Sequence, residues 1–171
     1  MATIRIPLHS IKYPGLYALI DEADAELASQ YRWGVYRRWH SYYARTTRRQ
    51  DGYKHLHHVL MGLPDDSVID HINGDGLDNR RENLRIATNS QNGMNQRIRS
   101  DNVSGYKGVS WNRALSKWRC QIRVQGKTKH LGYFTDPVEA ASVYDREARS
   151  LHGDFATLNF PNPTERAARN G

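Results

Sequence analysis

Four polar residues between Val68 and Asn92 have the types and spacing that phosphodiester hydrolysis needs. Asp70 and His71 are adjacent at the end of a short apolar run, and Asn83 and Asn92 follow a turn-rich loop. The Asp70 carboxylate would supply a metal ligand, and His71 would supply a base. Asn83 would brace the loop, and Asn92 would offer a second oxygen to the metal. This stretch therefore predicts a hydrolytic centre.

The chemistry of the reaction explains why these residue types matter. The scissile phosphate is anionic, and a divalent cation neutralises charge on a non-bridging oxygen and on the departing oxygen. Mg²⁺ prefers oxygen ligands and keeps several waters in its coordination shell. The protein therefore needs to supply only one carboxylate and one amide oxygen as ligands. A neutral histidine, with an ordinary pKa of about 6.5, can take the proton from the attacking water. The alternative is that Asp70 and His71 form a structural hydrogen-bonded pair in a tight turn, and two residues alone favour it.

Short elements would position these side chains. The apolar residues around Asp70 and His71 predict a strand over 68–72, and the Asn-Gly and Asp-Gly dipeptides at 73–76 predict a chain reversal. A second strand would follow over 84–87.

The helix that follows has a recognisable start. Thr88 and Gln91 have the spacing of a capping box, so we expect a helix to begin at Asn89. Asn92 would then lie in its first turn, near the positive end of the helix dipole.

The run DHINGDGLDNRRENLRIATNSQN closely resembles the His-Asn-His (HNH) endonuclease family, in its phage and intron-borne homing branch. The likeness extends from Leu56 to Asn92, and LHH stands where that branch has LHR. It implies a ββα-metal (His-Me finger) core and a cofactor, Mg²⁺ or Mn²⁺, for a cut that leaves 5′-phosphate and 3′-hydroxyl ends. The implied catalytic residues are His71 and Asn83, the implied metal ligands are Asp70 and Asn92, and the implied DNA contacts in LHH are His57 and His58.

Apart from that resemblance, the histidines of residues 54–64 are weaker evidence for a functional site. His57 and His58 adjoin, so we expect only one of them to face a given side of a strand or helix. A lone histidine in such an apolar segment is more often a packed structural residue than a ligand.

Composition and charge limit the class of protein. The chain has 171 residues and a net charge of +7, with nine Lys or Arg against one acid between Arg97 and Lys129. Basic stretches rich in Trp and Tyr favour a phosphate-backbone partner over a merely solvated surface. Cys120 is the only cysteine, which excludes an internal disulfide and a four-cysteine zinc site. With no membrane-length apolar run and no signal-peptide pattern, we expect a cytoplasmic protein, in a bacterial host if it is phage-borne.

The first 53 residues predict a β-rich platform with one helix. We expect strands in IRIPLH and LYALI, a short helix capped by Asp21, and two paired strands, WGVYRRW and SYYARTT, joined by a turn at 39–41. Arginines crowd this hairpin, and they fit a DNA backbone contact and a solvated sheet face equally well. They are Arg37, Arg38, Arg45, Arg48 and Arg49.

Residues 105–161 predict a three-stranded antiparallel sheet packed on one helix. Strands are expected over 106–110, 117–124 and 129–134, and a helix from Asp136-Pro137 to Gly153 with an apolar stripe of Ala141, Tyr144, Ala148 and Leu151. By two-residue alternation, Trp118, Cys120, Ile122 and Val124 would meet the helix, leaving a basic face open to a DNA groove. An ordinary charged surface is the alternative. The candidate DNA contacts are Lys107, Arg113, Arg119, Gln121, Arg123, Lys129 and His130.

The motifs YKGVSW, KWRCQIRV, HLGYF and EAASVYDREA resemble the plant Apetala/ethylene-response-factor DNA-binding domain, which implies that this sheet reads the major groove. His130 stands where that family often has tryptophan. Ser110 and Asn112 stand where it often has arginine.

Together these features predict an α+β protein in five segments: platform 1–53, HNH core 54–98, linker 99–104, DNA-binding domain 105–161 and frayed tail 162–171. The predicted function is sequence-specific cleavage of double-stranded DNA, of the homing type, with nicking as a monomer or weak homodimer. No membrane or small-molecule partner is expected. The alternatives are a catalytically inactive DNA-binding regulator and a structural or RNA-binding role for the basic sheet.

Overall fold

The computed structural model describes residues 2–38, 41–47, 52–64, 66–95, 98 and 101–165. It is a mixed α and β fold of small antiparallel sheets and few helices. The backbone contacts divide the chain into two compact units, the first ending at Ala87 and the second beginning at Thr88. Arg48, Arg49, the predicted turn at 39–40 and most of the predicted tail lie outside the described residues, and the predicted five-segment division stays a prediction.

The first unit is built from three antiparallel strand pairs. The first two pairs confirm the predicted platform strands, and the third confirms the predicted strands around the loop. In chain order the elements are β1 (Thr3–Pro7), β2 (Tyr17–Asp21), a 3-10 turn (Glu22–Asp24), α1 (Ala25–Ser29), β3 (Trp33–Arg38), β4 (Ser41–Thr46), α2 (Leu56–Met61), β5 (Ile69–His71), a 3-10 turn (Arg81–Asn83) and β6 (Leu84–Ile86).

One apolar core joins the platform strands to α2. Ile20 on β2, Trp33 on β3 and Leu56 and Leu60 on α2 are buried together. The Trp33 indole Nε1 donates to the carbonyl of Ala28 at 2.9 Å, so this large ring is buried with its polar atom satisfied. The segment that precedes the predicted nuclease core is therefore part of the same packed unit.

The second unit is a three-stranded antiparallel sheet covered by one helix, as the sequence predicts. Its elements are α3 (Asn89–Met94), β7 (Val109–Asn112), β8 (Lys117–Val124), β9 (Lys127–Phe134), α4 (Pro137–His152) and a 3-10 turn (Gly153–Phe155). α3 begins with the predicted capping box, in which the Thr88 hydroxyl accepts from the Gln91 amide. α4 begins with Asp136 as its cap and Pro137 in its first turn.

The core of the second unit lies between the sheet and α4. Cys120 and Ile122 on β8 are buried against Ala141, Tyr144 and Ala148 on α4, which confirms the predicted alternation along β8. Gly108, with φ of 77°, lets its backbone lie against the Tyr144 ring in space that a Cβ would fill.

Three local predictions were wrong. Asp21 makes no side-chain cap; its Oδ2 accepts instead from the Arg81 amide at 2.8 Å. Leu151 is 39% exposed and His152 is buried in its place, with His152 Nε2 3.0 Å from the carbonyl of Arg123 on β8. The first strand of the second sheet begins at Val109 rather than at residue 106, since the turn at Gly108 precedes it.

Among the described residues, no helix combines the length and the apolar character that crossing a membrane requires.

Candidate active site

The hairpin of β5 and β6 places Asp70 and His71 in the interior of the first unit. Asp70 lies opposite Arg85, and His71 lies opposite Leu84. The strand is only three residues long, but both polar side chains are buried, with 3% of Asp70 and 6% of His71 exposed. Buried polar groups require specific partners, and the contacts of these two residues therefore define the site.

Hydrogen bonds around Asn79 set the orientation of the His71 ring. The Asn79 amide Nδ2 lies 3.5 Å from the carbonyl of Gly76, which directs Oδ1 toward His71. His71 Nε2 lies 3.4 Å from that Oδ1 and therefore acts as the donor. In the neutral ring the lone pair then lies on Nδ1, the atom that could accept a proton.

Burial lowers the pKa of His71 below its ordinary value of 6.5, although the Asn79 bond and the Asp70 carboxylate act in the opposite direction. The loss of hydration disfavours the charged imidazolium. His71 is therefore neutral near pH 7, which is the state a general base requires.

Asn83 connects the two ends of the loop between β5 and β6. Its Oδ1 accepts from the Asn73 amide at 2.9 Å, and its Nδ2 donates to the carbonyl of Asp78 at 2.7 Å and to Asn73 Oδ1 at 3.1 Å. These bonds fix the backbone on either side of the Asp-Gly turn. The geometry is that of a brace for the loop, and a role of Asn83 in catalysis stays a prediction.

The same loop is anchored by arginines to carboxylates. Arg80 binds both oxygens of Asp78, through Nε at 2.9 Å and Nη2 at 2.7 Å. Burial raises the pKa of Asp78, but the Arg80 bonds outweigh it and the pKa is lowered, so the pair remains ionic. Arg81 binds Asp24 in the platform with Nη2 at 2.7 Å from Oδ1, and the same Nη2 donates to the carbonyl of Leu60. The loop is thus held against the 3-10 turn before α1 and against α2.

The Asp70 carboxylate is engaged by Arg85, whose Nη2 and Nε lie 2.6 Å and 2.9 Å from Oδ2. A carboxylate has about four lone-pair sites on two oxygens, and both of these Arg85 bonds go to Oδ2. A buried carboxylate supplies the oxygen ligands that a hard divalent cation prefers. Asn92, the second predicted ligand, lies in α3 of the second unit, and its metal role stays a prediction.

Three histidines lie beside His71. The His57 ring is edge-on to the His71 ring with centroids 5.1 Å apart, and it lies 4.6 Å from the His58 ring. Both are buried and their rings lie together, so the expectation that only one of these neighbours would face a given side of the helix was wrong. His55 stacks on His57 at 5.3 Å and extends the group. The predicted DNA contacts of His57 and His58 stay predictions.

The open face of the second sheet is basic, and cross-strand register defines its members. Arg119 on β8 pairs with Ser110 and with Tyr133, and Gln121 pairs with His130. The Arg119 Nη2 lies 3.4 Å from the Ser110 hydroxyl. Beside these residues a groove of about 770 Å³ is lined by Lys107, Arg113, Arg119 and Gln121 among others.

The remaining candidate DNA contacts differ in their surroundings. Lys129 lies on the side covered by α4, where its Nζ binds Glu147 at 2.8 Å. The Lys107 Nζ contacts the carbonyl of Met94 at 2.5 Å. Arg113, Arg123, Arg37 and Arg38 are exposed.

Three features of this site were missed by reasoning from sequence. Asn79 matches the family pattern, but nothing in the spacing predicted its contact with His71. Arg85 was treated as a strand residue, although strand pairing over 69–71 and 84–86 would have placed it opposite Asp70. His55 was not singled out at all.

Comparisons with known proteins agree with the site. The family model described as HNH endonuclease matches residues 53–94, which hold the whole β5–β6 loop. Protein 3.8 of Escherichia phage T7 is 36% identical over 94 residues, covering 55% of this chain and 77% of that protein. A mimivirus protein named as an uncharacterized HNH endonuclease, from Acanthamoeba polyphaga mimivirus, is 32% identical over 97 residues, 57% of this chain and 49% of that protein. This chain belongs to the HNH endonuclease family.

Part of this chain is also similar to plant regulators. An ethylene-responsive transcription factor of Arabidopsis thaliana is 42% identical over 59 residues, 33% of this chain and 32% of that protein. The chain spans about half or less of the length of the mimivirus and plant relatives. No solved structure matches it with statistical significance.

Proposed function

We propose that this protein is a sequence-specific DNA endonuclease in which His71 is the general base for hydrolysis of a phosphodiester bond. The observation that carries the proposal is the state of the His71 ring. Its Nε2 is engaged by Asn79, and burial keeps it neutral beside the Asp70 carboxylate. A water held at Nδ1 would lose its proton to a ring of fixed tautomer and orientation.

The family uses a divalent metal, and we propose Mg²⁺ held by Asp70 with Asn92 as a second oxygen ligand. When bound, the ion would neutralise charge on the phosphate and on the departing oxygen. Asp70 and Arg85 then set the electrostatics of the site, Asn83 and the Asp78–Arg80 pair hold the loop, and Asn79 orients the base. We further propose that these elements form the ββα-metal arrangement.

The substrate we propose is double-stranded DNA, recognised by the open face of the second sheet. Arg119, Gln121 and Arg123 are positioned on a face that carries no helix, and Arg and Gln side chains can bond base edges in a major groove. The resemblance to a plant DNA-binding regulator over 59 residues supports this assignment. With one hydrolytic centre per chain, we propose a homing-type enzyme that nicks one strand as a monomer.

The decisive experiment is incubation of the full chain with supercoiled plasmid, with Mg²⁺ and with chelator, followed by mapping of the ends. We expect nicked circles with 5′-phosphate and 3′-hydroxyl ends in Mg²⁺ alone. His71→Ala should remove cleavage while DNA binding changes little. Cleavage by this variant at the wild-type rate would contradict the role of His71.

The second candidate is a DNA-binding regulator without nuclease activity, which the plant resemblance favours. The two differ in a single assay. Binding without any metal-dependent cleavage, on plasmid and on host genomic DNA, would establish the regulator and overturn the nuclease.

A further inference from the structure

Three imidazoles converge just before and within the first turn of α2. His55 precedes the helix in an extended conformation, and His57 and His58 lie in its first turn. One ring nitrogen of each residue lies within 4.8 Å of the corresponding nitrogens of the other two. His57 and His58 are buried and His55 is half-buried, so solvent reaches the group on the side of His55.

Burial of His57 costs folding free energy because one of its polar ring atoms is buried without a hydrogen bond to any described residue. Its side chain is 7% exposed, and Nδ1 is a buried atom with no hydrogen-bond partner in the part of the chain that the structure describes. A buried polar atom without a partner costs about 1 to 3 kcal/mol, so such an atom needs an explanation. Burial together with the neighbouring histidines lowers the pKa of His57 to about 2, so the ring keeps its lone pair.

His58 has the bonding pattern of a metal-ligating histidine. Its Nε2 lies 2.8 Å from the carbonyl of Ser67, which makes Nε2 the donor and leaves the lone pair of the neutral ring on Nδ1. Histidines that bind metals almost always donate their other N–H to a carbonyl or a carboxylate in this way, because it fixes the tautomer and the ring direction.

We propose that His55, His57 and His58 form a binding site for one zinc-type transition-metal ion, separate from the oxygen-ligand site at Asp70. This inference goes beyond the proposed nuclease function and does not depend on it. Neutral imidazoles suit Zn²⁺, Co²⁺ and related ions, whereas Mg²⁺ prefers oxygen. Nitrogens around one tetrahedral Zn²⁺ lie about 3.4 Å apart, so small side-chain rotations from the observed spacing would close the site.

Three protein ligands leave a fourth position for water, and the half-buried side at His55 gives the ion a path to it. The bound ion would tie the residue before α2 to its first turn. The ion would bind only the folded protein, and we therefore expect it to raise the stability of the first unit.

The test uses the full chain with Zn²⁺ or Co²⁺ alone, in competition with a chromophoric chelator. We expect one equivalent to bind, with the visible absorption of tetrahedral Co²⁺, and we expect millimolar Mg²⁺ not to displace it. His55→Ala removes a half-buried ligand, and His58→Gln removes the imidazole while keeping a donor for Ser67. Each should weaken Zn²⁺ binding at least 10-fold. His9→Ala, an exposed histidine outside the group, is the matched control and should bind as the wild type does.

Two results would overturn the proposal. One is equal affinity in the wild type, His55→Ala and His58→Gln. The other is an X-ray absorption spectrum of the zinc-loaded wild type that shows no imidazole ligands, which remains decisive if the variants do not fold. Zinc binding and DNA cleavage are measured in separate assays, so a negative result for the zinc site does not count against the proposed nuclease function, or the reverse.

Discussion

Arg85 binds Asp70 across the β5–β6 pair, with Nη2 at 2.6 Å and Nε at 2.9 Å from Oδ2. The side chains are 16% and 4% exposed, so this ion pair is formed largely away from water. In the proposed mechanism the same carboxylate binds a divalent ion. The guanidinium therefore neutralises the carboxylate when no metal is bound.

Replacing Arg85 with Gln tests whether a divalent ion can replace the guanidinium charge beside Asp70. In chelator we expect the free energy of unfolding to fall by about 3 kcal/mol, because a buried carboxylate loses its cation. Mg²⁺ should then stabilise the variant more than the wild type, since the ion would supply the missing charge. Thermal melts with and without Mg²⁺ measure both effects.

The control for that experiment is Arg149→Gln, which removes an exposed pair with Glu165. It should cost less than about 1 kcal/mol and leave the Mg²⁺ effect unchanged. Equal Mg²⁺ stabilisation of Arg85→Gln and the wild type would argue against a metal at Asp70.

Asn83→Ala should destabilise the site loop. The change leaves the Asp78 carbonyl and the Asn73 amide without the buried bonds that Asn83 supplies, and each such loss costs about 1 to 3 kcal/mol. We expect denaturant unfolding to show a loss above about 2 kcal/mol and cleavage to fall with it. Asn89→Ala, at an exposed position, should stay within about 0.5 kcal/mol. An Asn83→Ala protein as stable as the wild type would mean that the loop does not depend on this brace.

Arg119 and Lys129 should differ in their effect on DNA binding. Arg119 lies on the open face, whereas Lys129 is paired with Glu147 on the side that α4 covers. In a His71→Ala background, Arg119→Ala should weaken binding to the target site by roughly 1–3 kcal/mol if it reads a base. Lys129→Ala should have a smaller effect. Equal losses by Arg119→Ala on target and random duplexes, titrated at several salt concentrations, would make Arg119 a backbone contact instead.

His152 should make the second unit sensitive to acid. Its Nε2 donates to the carbonyl of Arg123 at 3.0 Å, and its Nδ1 is buried without a hydrogen-bond partner among the described residues. Burial lowers its pKa below 6.5, and nearby Lys107 adds to this while the Arg123 bond opposes it. The unfolded chain therefore takes up a proton that the folded chain excludes, and the free energy of unfolding falls as pH drops below 6.5.

Denaturant unfolding between pH 7.5 and 5 measures this slope. His152→Gln keeps a donor for Arg123 but cannot titrate, so its stability should depend less on pH over the same range. An unchanged slope would assign the acid sensitivity to other groups.

The sequence by itself determined the local elements. The Asn-Gly and Asp-Gly turns set the reversal after His71, the Thr88–Gln91 capping box set the start of α3, and strict alternation along 117–124 set the buried face of β8. These features depend on residues within a few positions of one another, where backbone preferences and short hydrogen bonds decide the outcome. The likeness to HNH endonucleases had the same origin, since its polar residues are closely spaced.

Tertiary structure alone decided which atoms meet. Asn79 faces His71 because Gly76 fixes its amide, and Asp21 binds the Arg81 amide instead of capping a helix, across 60 positions of chain. His57 and His58 are both buried, and His152 rather than Leu151 is buried at the end of α4. A periodic pattern gives the faces of a helix or strand, but packing against distant residues selects how each face is turned and therefore which polar atoms lie in the site.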